Sequence, residues 1–111
     1  MNLNLIGYIV PGLIVLGSIP MAVGKVPPNW FYGFRTSKTL RSPGVWYPAN
    51  RFAGWAMIAA GVLTLGVNLL VWPTHPDWPP QKLVRWMWID LLVWLLLAAA
   101  ACLLYLRRLP E

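Results

Sequence analysis

Three long stretches of almost continuous apolar residues dominate the chain, and two more polar segments separate them. The stretches cover about Leu3–Val23, Phe52–Trp72 and Trp86–Leu106. The hydrocarbon core of a bilayer is ~30 Å thick, and roughly 20 mainly apolar residues in a helix cross it. The pattern therefore predicts an all-α membrane protein in which three transmembrane helices form a single domain over residues 1–111.

The composition supports a membrane protein and gives no indication of an enzyme. Hydrophobic residues make up 59% of the chain and charged residues 11%, whereas a globular domain has about 25% charged residues. The single His, the single Cys and the three acidic residues are scattered along the sequence. They form no recognisable nucleophile–base pair or set of metal ligands. We therefore expect neither catalysis nor a metal or other cofactor.

Basic residues are distributed unevenly around the apolar stretches. The second loop with its flanks holds only Lys82 and Arg85, and the first loop and the C-terminal end hold the others: Lys25, Arg35, Lys38, Arg41, Arg51, Arg107 and Arg108. The positive-inside rule then predicts a multi-pass membrane protein with its N-terminus outside and its C-terminus inside. The chain has a net charge of +6, and most of its basic residues flank the spans, where we expect them to contact anionic lipid headgroups. Direct nucleic-acid binding is not expected.

Two polar side chains, Asn68 and Asp90, interrupt the second and third stretches. An acid inside a span is energetically costly, and this makes it a candidate functional residue. One interpretation places Asp90 in a proton or cation path. The other pairs it with Asn68, or lets it reach towards Arg85 and Lys82 at the interface.

The first loop, between Asn29 and Gly54, carries most of the remaining chemistry. It is basic and aromatic, and Gly33 within it predicts a turn or a close backbone approach. The guanidinium of Arg35, beside the hydroxyls of Thr36 and Thr39, is suited to an anion or to a set of backbone carbonyls. As a structural clamp, Arg35 is expected to contribute more to folding than the nearby Lys38.

The end of this loop has the pattern of a helix start. Ser42 followed by Pro43 is typical of an N-cap and a first helical position. Trp46 and Asn50, four residues apart, would then share one helix face. We expect a short interfacial helix that carries these residues and Arg51 into the second span, and that bends or breaks at Pro48.

These residues together resemble the SdpI-like family of bacterial membrane immunity and signalling proteins, of which only the three-span module is expected here. The matching positions are Asn29, Gly33, Phe34, Arg35, Thr36, Thr39, Leu40, Ser42, Trp46, Asn50, Arg51 and Gly54. The resemblance implies a location in the bacterial cytoplasmic (inner) membrane. It also implies a role for the loop motif in folding or in docking a partner.

The function implied by the resemblance is immunity to a membrane-active antimicrobial peptide, signalling through a cytoplasmic partner, or both. The founding member of the family is an immunity protein that also holds a transcriptional repressor at the membrane. Candidate partners are therefore anionic lipids, a peptide toxin, a cytoplasmic repressor and further copies of the chain. The alternative function is that of an oligomeric transport or channel subunit, because three helices cannot enclose a wide pore alone.

Overall fold

The computed structural model describes residues 3–110, and these contain four helices and no strand. The helices are α1 (Leu3–Ala22), α2 (Ser37–Arg41), α3 (Pro43–Thr74) and α4 (Pro80–Arg108). By length and composition α1, α3 and α4 can each cross a membrane. The all-α prediction with three transmembrane helices is therefore confirmed.

Helix α3 starts earlier than the apolar stretch and is not broken. It has 32 residues, which corresponds to ~48 Å at 1.5 Å per residue, so it is longer than a bilayer core is thick. The Ser42 hydroxyl accepts a hydrogen bond from the Gly44 N–H, and Pro43 occupies the first turn. The predicted N-cap is therefore confirmed, whereas the predicted break at Pro48 is wrong. A proline so near the N-terminus removes only one helical hydrogen bond, and the helix continues through it.

Helix α3 lies between the other two spanning helices and packs antiparallel to both. Glycines let it approach α1 closely: a Cβ added at Gly54 would lie 2.7 Å from Ala22 Cα, and one at Gly61 would lie 3.0 Å from the Pro11 carbonyl oxygen. Small residues at such contacts are the usual means of packing helices in a membrane. Helices α1 and α4 are therefore parallel, and they contact each other much less than they contact α3.

The segment between α1 and α3, residues 23–42, contains α2 and is called here the connecting segment. It lies at the same end of the molecule as the C-terminus of α4, and we call this the loop end. Two small apolar clusters hold the helices together there. One joins Met21, Ala53 and Cys102 from α1, α3 and α4, and the other joins Val45, Ala49 and Leu106.

Candidate functional site

Asn29 organises the start of the connecting segment through its own side chain. Its Oδ1 accepts hydrogen bonds from the Phe31 and Tyr32 N–H groups at 2.9 and 2.7 Å. Its Nδ2 donates to the Pro27 and Tyr32 carbonyls at 2.8 and 3.0 Å. An asparagine commonly stabilises turns in this way. All the hydrogen-bonding capacity of this amide is thus directed at the local backbone.

Trp46 and Asn50, one turn apart on α3, fix the rest of the segment to the helix. Trp46 is fully buried, and its Nε1 donates to the Val26 carbonyl at 2.8 Å. Asn50, only 2% exposed, accepts from the Phe34 N–H at 2.6 Å and donates to the Phe34 and Trp46 carbonyls. The predicted shared face is therefore present, and it is turned inward. Trp46 is a core residue and not the interfacial anchor that its ring type suggests.

Gly33 is the residue that lets the segment lie against this pair. Its φ of +117° falls where side chains are strongly disfavoured. An added Cβ would lie 2.6 Å from Asn50 Oδ1 and 3.3 Å from the Trp46 ring. Both the turn and the close approach expected of Gly33 occur here.

The hydroxyls of Thr36 and Thr39 serve the backbone. They form a capping box at the start of α2, in which Thr36 Oγ1 accepts from the Thr39 N–H at 3.1 Å and Thr39 Oγ1 accepts from the Thr36 N–H at 2.7 Å. Thr39 is also fully buried. These hydroxyls are committed to helix capping, and neither of them bonds the Arg35 guanidinium.

Arg35 does not clamp the loop in this structure. Its side chain is exposed, and among the hydrogen bonds of the described residues none involves its guanidinium. The clamping cation is Lys38, whose Nζ donates to the Leu106 and Leu109 carbonyls at 2.9 and 2.6 Å. The structure therefore gives the contacts of a clamp to Lys38 and not to Arg35. Arg51 is also exposed, and its guanidinium lies against Gly24, where an added Cβ would be 2.8 Å from one terminal nitrogen.

Asn68 lies towards the opposite end of α3 and is fully buried. Its Nδ2 donates to the Gly7 carbonyl of α1 at 2.8 Å. Pro11 lies four residues after Gly7 and has no N–H, so this carbonyl lacks its helical donor. Asn68 therefore replaces the missing hydrogen bond, which is how proline is accommodated in membrane helices. Its Oδ1 is buried without a partner in the described part of the chain.

Asp90 does not pair with Asn68, nor with Arg85 or Lys82, as one interpretation of the sequence expected. Its Oδ1 accepts from Trp94 Nε1 at 2.9 Å, one turn further along α4. The second oxygen is buried and has no hydrogen-bond partner among residues 3–110. The residue itself is 7% exposed. A polar side chain with an unused atom therefore remains inside the third span.

Asn29, Gly33, Trp46 and Asn50 thus form one interlocked unit at the loop end, from which the Arg35 side chain stands apart. The sequence profile of the SdpI/YfhL protein family matches residues 25–106. The chain belongs to the SdpI/YfhL protein family. The match extends from the connecting segment through α3 and most of α4, and it confirms the resemblance drawn from the loop motif.

One relative of this SdpI/YfhL protein is the uncharacterized protein YfhL of Bacillus subtilis (strain 168). It is 31% identical over 68 residues, which are 59% of this chain and 60% of the relative. The chain thus spans about 60% of the length of the curated relative that it matches. No solved structure matches it significantly.

Three side-chain hydrogen bonds of this SdpI/YfhL protein were not predicted from the sequence. They are the cap of Lys38 on α4, the bond from Asn68 to Gly7, and the hydrogen bond from Tyr32 Oη to the Gly17 carbonyl. Each joins segments that are distant along the chain. Only the second had a local indication, because Pro11 inside an apolar helix implies an unsatisfied carbonyl that another residue must bond.

Proposed function

We propose that this SdpI/YfhL-family protein protects a bacterial inner membrane against a membrane-active antimicrobial peptide, without an enzymatic step. The supporting observation is the rigid presentation of two aromatic side chains by the connecting segment. While Asn29, Trp46 and Asn50 fix its backbone, Trp30 is 74% exposed and Phe31 is 90% exposed. A folding core alone does not need two large apolar side chains held outward.

This arrangement has the chemistry of a docking surface. Tryptophan and arginine are the residue types enriched at energetically dominant positions of interfaces, and Arg35 lies exposed in the same segment. Because the backbone is already ordered, a partner would bind without the entropy cost of ordering this loop. The partner favoured by the family resemblance is an apolar peptide that acts at the membrane.

A killing assay tests the proposal. A bacterium sensitive to an SdpI-type toxin peptide would express the protein, the Trp30→Ala variant or the Arg35→Ala variant, with an empty vector as reference. Trp55→Ala is the matched control, because Trp55 is 60% exposed on α3 outside the connecting segment. At equal membrane levels we expect protection by the protein and by Trp55→Ala, and loss of protection with Trp30→Ala. No protection by the correctly inserted protein would contradict the proposal.

Signalling by capture of a cytoplasmic partner would use the same surface, and it requires the loop end to face the cytoplasm. The topology can be measured with reporter fusions at the C-terminus, for which we expect a cytoplasmic signal. A periplasmic signal would exclude the signalling function, because it would place the connecting segment outside.

The second candidate function is that of an oligomeric transport or channel subunit. The observation that favours it is that Asn68 Oδ1 and Asp90 Oδ2 are buried without a hydrogen-bond partner among the described residues, because polar atoms inside spans often mark ion or proton paths. Ion and proton flux into liposomes containing the protein would test this function. Flux that Asp90→Asn abolishes would support a transport function over immunity.

A further inference from the structure

A wide groove opens between α1 and α4 in the half of the molecule near the loop end. Its volume is about 630 Å³, which lies within the ~300–1,000 Å³ range of small-molecule pockets. It exists because α1 and α4 pack on opposite sides of α3 and hardly on each other. Its lining comes from all three spanning helices and from residues 32–34, and includes Leu13, Gly17, Met57, Leu95, Ala99 and Leu103.

Among the described residues, the two hydroxyl groups that line the groove are already hydrogen-bonded. The hydroxyl of Ser18 donates to the Ile14 carbonyl at 2.7 Å, and the Tyr32 hydroxyl donates to the Gly17 carbonyl. The other lining side chains are almost all apolar. The groove therefore suits a long apolar group and excludes a polar one, since burial of an unpaired polar group is unfavourable.

Two arginines adjoin residues of this lining along the chain. Arg35 directly follows Phe34, which lines the groove. Arg107 follows Leu103 by one turn of α4 and so continues the same helix face. Both side chains are exposed, and within residues 3–110 no hydrogen bond or ion pair engages either of them. The apolar lining and these two available guanidinium groups together complement a molecule with an apolar chain and an anionic head.

We propose that the groove binds one acyl chain of an anionic phospholipid, and that Arg35 and Arg107 hold its phosphate. Guanidinium groups bind phosphate through paired, charge-assisted hydrogen bonds. The proposal gives Arg35 a ligand and explains why the fold leaves it unpaired while Lys38 is used as a helix cap. Lipid binding at this site does not require the immunity function.

Native mass spectrometry of the purified full chain in mild detergent tests the headgroup. The protein would be titrated with dioleoyl phosphatidylglycerol and, separately, with dioleoyl phosphatidylcholine. We expect one phosphatidylglycerol to bind in clear preference. Arg35→Gln and Arg107→Gln should each weaken its binding about tenfold, the size expected for loss of a charge-assisted hydrogen bond. Arg108→Gln is the matched control and should leave binding unchanged, because Arg108 lies on a different face of α4.

A second pair of variants tests whether the acyl chain of the lipid occupies the groove. Ala99→Phe fills the groove, whereas Ala100→Phe places the same ring outside it on the exposed surface of α4. Only the first should weaken binding of dioleoyl phosphatidylglycerol, and the short-chain dibutyryl lipid should bind weakly to every variant. Circular dichroism would verify that each variant is helical, and the exposed arginine variants keep the test valid if Ala99→Phe does not fold.

Four outcomes would overturn the proposal. Equal binding of the two lipids, or an equal loss with Arg108→Gln, would mean attraction by surface charge alone. Unchanged binding of dioleoyl phosphatidylglycerol to Ala99→Phe would mean that its acyl chain lies outside the groove. Binding of an apolar toxin peptide that Ala99→Phe blocks, with lipid binding unaffected, would make the groove a peptide site. None of these lipid measurements depends on the killing assay, so either proposal can fail without the other.

Discussion

The two buried asparagines of α3 differ in how completely their side chains are bonded. Asn50, near the loop end, uses its oxygen on the Phe34 N–H and its nitrogen on the Phe34 and Trp46 carbonyls. Asn68, near the other end, makes one bond to Gly7, and its oxygen is buried without a partner in the described part of the chain. The same residue type therefore serves two different needs on a single helix.

The difference follows from the backbone that each asparagine meets. Most of the connecting segment is irregular, so its N–H and C=O groups need side chains as partners. Helix α1 satisfies most of its own backbone, and Asn68 replaces the one donor that Pro11 removes from the Gly7 carbonyl. The loop end is therefore fixed by several interdependent contacts, whereas the other end retains unused polar atoms.

Replacing Asn50 should give the largest effect. Asn50→Ala removes three hydrogen bonds and leaves buried groups of Phe34 without partners. At about 1 kcal/mol for each net bond, we expect the free energy of unfolding to fall by about 3 kcal/mol. Unfolding in detergent, followed by helical circular dichroism during titration with a denaturing detergent, measures this. Asn68→Ala is the comparison and should lower the same quantity much less; equal losses would contradict the difference drawn between the two sites.

Gly33→Ala tests the same contact between the connecting segment and Asn50, by changing the residue in the segment. The substitution forces a side chain onto a φ of +117° and towards Asn50 Oδ1, which would be 2.6 Å from the new Cβ. A residue held in such a region costs about 1–3 kcal/mol, and we expect about 2 kcal/mol here. Gly66→Ala is the control, because an added Cβ there meets no atom within 4 Å. A Gly33→Ala protein as stable as Gly66→Ala would show that the turn can relax without loss.

The sequence predicts the fold and the motif well because both depend on local patterns. Apolar runs define the spans, and Ser42 with Pro43 marks the start of α3. The partners of individual side chains could not be predicted in the same way. Whether Arg35 or Lys38 reaches a carbonyl depends on where α4 ends relative to α2, which is decided by packing between helices. Of the two interpretations of Asp90, the pairing with Asn68 or with the interfacial cations is wrong, because the carboxylate accepts a hydrogen bond from Trp94 on the same helix.

Replacing Lys38 and Arg35 separately by alanine is the next test, and it concerns only the loop end. Lys38 donates to the Leu106 and Leu109 carbonyls at the C-terminus of α4, where a positive charge is favourable. In detergent without added lipid, Lys38→Ala should lower the free energy of unfolding by about 1 kcal/mol. Arg35→Ala should change it by less than about 0.5 kcal/mol, as is usual for exposed side chains. A larger loss with Arg35→Ala would restore Arg35 as the clamp.

The smallest expected effect is the coupling between Asn68 in α3 and Pro11 in α1. It is the most specific test of the end of α3 that lies away from the loop end. If Asn68 bonds the Gly7 carbonyl only because Pro11 cannot, a residue with an N–H at position 11 makes the asparagine redundant. Asn68→Leu should then be less harmful in the Pro11→Ala background than in the unaltered protein. Hydrogen bonds between membrane helices average about 0.6 kcal/mol, and this is the coupling that we expect from a double-mutant cycle.

The presence or absence of this coupling energy distinguishes two roles for Asn68. Relief of the Asn68→Leu penalty by Pro11→Ala means that the side chain repairs α1, and the unused Oδ1 is then incidental to that repair. Strict additivity would mean that Asn68 contributes to stability independently of Pro11. The bond to Gly7 would then not be a repair of α1, and the explanation of the difference between the two asparagines would fail at this end of α3.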